Sequence, residues 1–156
     1  MAGWLKNMLH GDAEVRKQFT EQIHRDFAFL FAEHGAKIVP NDKEYPPMFD
    51  NALVTVESCR LRFRFVQDRG EQRVDVAPLE CPGAWEELDF VLMAIDPNGD
   101  KPAWATLSDL AEILRVRLAQ VERAFSREQY DATRERLAEI HTRERNKWAA
   151  AFKSRA

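Results

Sequence analysis

Arg60, Arg62 and Arg64 alternate along one stretch of chain, and Arg73 follows nine residues later. In an extended strand, alternate residues share a face, so these four side chains would gather on one side of a small sheet. A guanidinium pairs bidentately with carboxylate or phosphate oxygens. Such a cluster is suited to gripping an oxyanion, on nucleic acid or on an acidic protein partner. Glu57 and Asp75 fall on the same side in the pairing derived below, which favours a solvated face neutralised in place. No aromatic residue shares that face with the arginines, so the pattern lacks the stacking platform that single strands require. The chain carries 23 Lys and Arg against 26 Asp and Glu, a net charge of −3. Nothing global attracts phosphate, and nucleic-acid binding ranks behind a protein partner.

Acid–base chemistry needs carboxylates that are desolvated and convergent. Glu57, Asp68, Asp75, Glu86, Glu87 and Asp89 are the carboxylates in reach, and salt-bridged surface positions are expected for them. The four histidines, His10, His24, His34 and His141, include no pair four residues apart, the spacing that turns two imidazoles toward one metal on a helix. Cys59 and Cys81 form no C-x-x-C unit. Phosphate-loop, dinucleotide-turn and nucleophile-elbow patterns are absent from the sequence. The expectation is a chain with no catalytic residue, no metal and no cofactor.

The elements that would position these residues are legible from Asn51 to Pro78. A two-residue turn at Ser58-Cys59 sets Glu57 opposite Arg60, Val56 opposite Leu61, Val54 opposite Phe63 and Ala52 opposite Phe65. A second turn at Asp68-Arg69-Gly70-Glu71 sets Gln67 opposite Gln72, Phe65 opposite Val74 and Phe63 opposite Val76. One face then collects Ala52, Val54, Val56, Leu61, Phe63, Phe65, Val74 and Val76. The other brings Thr55 opposite Arg62 and Arg64 opposite Asp75, and a three-stranded meander results. Ser58-Cys59 lacks the Asn or Gly of the favoured tight turns.

Before the meander, Asp12 is a plausible N-cap for a helix over 12–34 whose apolar positions include Val15, Phe19, Ile23, Phe27 and Leu30, with Gly35 as its stop. Lys37 to Val39 read as a short edge strand. After Pro78, Trp85, Leu88, Val91, Leu92 and Ile95 mark a helix over 84–95, ended by Asp96-Pro97-Asn98-Gly99. Thr106 with Asp109 forms an acidic capping box before the stripe Leu107 to Phe125. Ser126 with Gln129 suggests a second capping box and a final helix, so that 107–153 forms a helical hairpin. The last helix has sparse apolar positions, Tyr130, Leu137, Ile140, Trp148 and Phe152, and a helix that polar is only partly covered by its own domain.

At 156 residues, 45% hydrophobic and 31% charged, the composition is that of one soluble globular domain. No apolar run is long enough for a signal peptide or a membrane span, so cytoplasmic residence is expected. Trp4, Leu5, Met8 and Leu9 lie at helical spacing and are expected to dock or fray at the terminus.

Gly35 to Val39, Val56 to Gly70 and Val74 to Val76 together resemble a group of small uncharacterised bacterial α+β proteins. Their shared pattern is a helix ending in glycine, an extended segment, and a strand pair around L-R-F-V-x-D-R-G. The likeness covers about the first two-thirds of the chain. Some proteins of this size and acidity are similar to immunity proteins encoded beside bacterial toxins. The resemblance implies a fold more than a function, because the shared motif is structural and carries no catalytic residue.

The expected fold is α+β: a three- or four-stranded antiparallel sheet, helices on its apolar face and a C-terminal helical hairpin. The expected function is a non-enzymatic interaction protein that binds a partner or itself, with Arg60, Arg62, Arg64, Arg73, Tyr130 and Trp148 as candidate binding residues. An enzyme whose site lies between the sheet and the 45–51 loop is the alternative, and nucleic-acid binding through the arginines is the second.

Overall fold

Among the described residues five antiparallel strands, rather than three or four, form the sheet: β1 (Lys37–Val39), β2 (Ala52–Glu57), β3 (Leu61–Asp68), β4 (Glu71–Pro78) and β5 (Glu86–Glu87), neighbours in that order. This computed structural model describes residues 2–41 and 51–155, with side chains from residue 13 onward. The 45–51 loop therefore lies outside the described residues except for Asn51, and so do the terminal side chains of Trp4, Leu5, Met8 and Leu9.

The β3–β4 pairing has the derived register, with Phe63 opposite Val76, Arg64 opposite Asp75 and Phe65 opposite Val74. Arg69 and Gly70 close that hairpin with φ of 51° and 83°, the positive angles through which a two-residue turn follows the twist of its strands. The β2–β3 register differs. Glu57 lies opposite Arg62, Thr55 opposite Arg64 and Val54 opposite Phe65, a slip of two residues from the expected pairing. Ser58 takes part in the ladder, donating its N–H to the Leu61 carbonyl at 2.8 Å and accepting the Leu61 N–H on its hydroxyl at 3.3 Å. The tip moves one residue on, to Cys59-Arg60. A slip of two leaves every side chain on its expected face, because the strand period is two.

The helices are α1 (Ala2–Asp26), α2 (Ala28–Glu33), α3 (Leu88–Ile95), α4 (Leu107–Ala124) and α5 (Tyr130–Lys153). Asp12 is not a cap, since α1 runs through it, and the break falls at Phe27 instead. That ring is wholly buried and meets Phe65 edge-on at 4.8 Å. Gly35, at φ 61°, ends α2 while the Ala36 N–H reaches back over the last turn to the Leu30 carbonyl, the left-handed glycine stop common at helix ends. The expected helix over 84–95 begins only at Leu88, because Glu86 and Glu87 pair with Val76 and Asp75 as β5.

Thr106 and Asp109 form the capping box of α4 as read from the sequence. Ser126 does not form one. Its hydroxyl donates to the Arg123 carbonyl, closing α4, and α5 starts after Gln129. α5 then runs along α3. On the apolar face of the sheet, Val54, Val56, Phe63, Phe65, Val74 and Val76 pack with Phe19, Ile23 and Leu30 and with the inward residues of α3 and α4 in one core.

Candidate functional site

The arginine face of the sheet is covered at its centre and solvated only at Arg73 and beyond. Thr55, Arg62 and Asp75 are 2%, 9% and 5% exposed. Arg64 directs Nε and Nη2 to Oδ2 of Asp75, at 3.0 and 2.8 Å, and Arg73 Nε reaches the other oxygen at 3.3 Å. Arg62 lies 3.6 Å from Glu57. The Trp85 ring stacks over Arg64 at 4.5 Å and Arg62 at 5.8 Å, a cation–π arrangement. Spacing alone puts Trp85 in a helical core stripe and leaves the arginine face without an aromatic. It is the strand pairing of Glu86 and Glu87 that brings the indole onto the sheet. Asn41 completes this side, accepting the Thr55 hydroxyl at 2.8 Å and donating to the Leu53 carbonyl at 3.0 Å.

The four arginines are thus not one cluster. Arg62, Arg64 and Arg73 are engaged by carboxylates or by Trp85, while Arg60 sits exposed at the hairpin tip. There it borders a small cavity with Cys59, Glu80 and Arg127. An arrangement in which most guanidiniums are already engaged does structural work and offers little to an incoming phosphate.

Two carboxylates beside this face are desolvated. Burial pushes the pKa of Glu87 up, reinforced by the negative charges of Asp89 and Asp75. Burial likewise raises Asp89, against the hydrogen bond it accepts from Trp104 Nε1 at 2.7 Å and the charge of Lys101. These groups bind protons more tightly folded than unfolded, so their contribution is largest below the unfolded carboxylate range and falls as pH rises through the raised folded value. Glu87→Gln should therefore gain stability relative to the native chain as pH climbs from about 4 toward neutrality, as read by urea unfolding at a series of pH values. A difference independent of pH would show that Glu87 has an ordinary pKa. The described cavities lie along α5, between α3 and α4, and at the β2–β3 turn, and neither carboxylate lines them. Among the described residues no group of three or more histidine, cysteine or acidic side chains is placed to hold a metal.

The second surface is the far end of α5. Tyr130 is half-buried, 6.1 Å from Phe125, and Thr133, Leu137 and Ile140 are buried. His141 Nε2 lies 2.9 Å from a Glu86 carboxylate oxygen, with its ring against Phe90. Arg136 donates to the Ala94 carbonyl and Arg143 to that of Gly99. From Arg145 to Arg155 every residue is exposed, including Trp148 at 70% and Phe152 at 74%. Eleven residues make about three helical turns, so Trp148 stands on the face of Leu137 and Ala151 on that of Ile140. The buried stripe continues into solvent.

No protein-family model, curated protein or solved structure matches the chain. No helix among the described residues is long and apolar enough to cross a membrane.

Proposed function

We propose that this chain is a non-enzymatic protein-interaction module whose contact surface is the distal end of α5. The observation that carries this reading is the exposure of Trp148 and Phe152 on a stripe that is core-forming about two to four turns earlier. Large aromatics are the side chains that most often anchor interfaces, and helix-in-groove recognition uses residues at this spacing. Its size and acidity, shared with some immunity proteins encoded beside bacterial toxins, give the reading one specific form, a protein that neutralises a toxin by occupying its active site. The engaged arginines disfavour nucleic acid as the ligand.

Trp148→Ala should change the free energy of unfolding by less than about 0.5 kcal/mol, as an exposed position does. Loss of an interface anchor should weaken association by about 2 kcal/mol or more. Denaturant unfolding reads the first, and sedimentation of the chain alone and with a co-purified partner reads the second. A loss of several kcal/mol in the monomer, with no complex formed by the native chain, would assign Trp148 to the core and end this reading.

A further inference from the structure

The distal end of α5 is charged against the rest of the molecule. Arg143 to Arg155 contain five cations and one carboxylate, so from totals of 23 and 26 the remaining residues keep 18 Lys and Arg against 25 Asp and Glu. Lys147 and Arg143 lie 3.0 and 3.5 Å from Glu144. Arg145, Lys153 and Arg155 are therefore the cations that flank Trp148 and Phe152 toward solvent. Two such ends would repel one another, which argues against pairing α5 with α5. A fitting surface is apolar at its floor and acidic at its rim.

The chain itself has one. Between α3 and α4 lies a groove of about 470 Å³ whose apolar residues include Leu92, Ile113 and Val116 and whose carboxylates are Asp96, Asp100 and Glu112. Val116 is 81% exposed, a β-branched apolar residue in the middle of a helix, where neither helix propensity nor burial favours it. The cations of the groove already have partners, Arg117 with Asp96 at 3.3 Å and Lys101 with Asp89 at 3.9 Å. Asp100 and Glu112 are the carboxylates left to meet an incoming cation. The base of the exposed segment lies beside the groove, since Arg143 bonds the carbonyl of Gly99, which falls between Asp96 and Asp100 of the groove lining. That proximity suits a two-fold pair in which each copy gives a helix end and receives one.

We infer that the partner of the α5 end is a second copy of this chain, whose α3–α4 groove receives Trp148 and Phe152. The inference rests on α5 being the contact surface and adds what it contacts. Sedimentation of the full chain over a concentration series should show a monomer–dimer equilibrium that weakens as salt is raised, because the exposed flanking charges are screened. Trp148→Ala and Val116→Lys should each weaken association about tenfold or more, with Glu112→Lys as a second groove variant should Val116→Lys misfold. An equimolar mixture of the tip variant and the groove variant should associate again, since each mixed pair keeps one intact tip and one intact groove. If the mixture stays monomeric while the native chain dimerises, the tip does not seat in the groove. If the native chain is monomeric up to millimolar concentration, self-docking is overturned. In that event a complex with another protein that Trp148→Ala abolishes would leave α5 as the contact surface, whereas unfolding by Trp148→Ala would remove both conclusions.

Discussion

Phe63→Ala should lower the free energy of unfolding by about 3 to 5 kcal/mol, the range for removing a fully buried phenylalanine. The residue has no exposed surface and sits in the central strand, opposite Val56 on one side and Val76 on the other, with the Phe65 ring 6.5 Å away. Neighbours held by two ladders cannot easily close over the void. The cost therefore combines lost transfer energy with an unfilled cavity. Equilibrium unfolding in urea measures it, and the slope should be unchanged if only stability has moved. A loss below about 1 kcal/mol, outside the range for a buried aromatic, would mean that Phe63 does not occupy the centre of the core.

The core face was legible because it depends only on period two and on two turns. A tip at Cys59-Arg60 instead of Ser58-Cys59 leaves that face undisturbed, since it moves the pairing by two residues. Legibility ended where a residue's role is set by distant chain. Trp85 fits a helical stripe by spacing alone, yet the pairing of Glu86 and Glu87 with β4 takes it onto the arginine face. Asp12 has the chemistry of a cap, but a helix already under way from Ala2 has no use for one. Ser126 likewise has a capping residue's hydroxyl, and spends it on Arg123. The α5 surface was legible in part: sparse apolar spacing marked Trp148 and Phe152, while the groove between α3 and α4 brings together residues from Leu92 to Arg117 that no local pattern connects.

Asp75 tests the other half of the sheet. Its two oxygens hold Arg64 and Arg73, it is almost wholly buried, and Arg64 is mostly covered by Trp85 and the strands. Asp75→Asn keeps the shape and removes the charge, leaving Arg64 in a covered position with an amide in place of its carboxylate. Breaking a buried pair from one side costs about 3 to 5 kcal/mol, and the partial exposure of Arg64 places the expected loss near about 3 kcal/mol. Arg73→Ala should cost no more than about 1 kcal/mol, because that side chain is half in water. Combining Asp75→Asn with Arg64→Met should cost less than the two changes summed, since the second removes the charge that the first leaves stranded. Thermodynamic cycles from urea unfolding give all of these values. If Asp75→Asn is tolerated within about 0.5 kcal/mol, as a plain surface change would be, the face is solvated after all. Its arginines would then be free to take an oxyanion, and nucleic acid would return as a ligand to test.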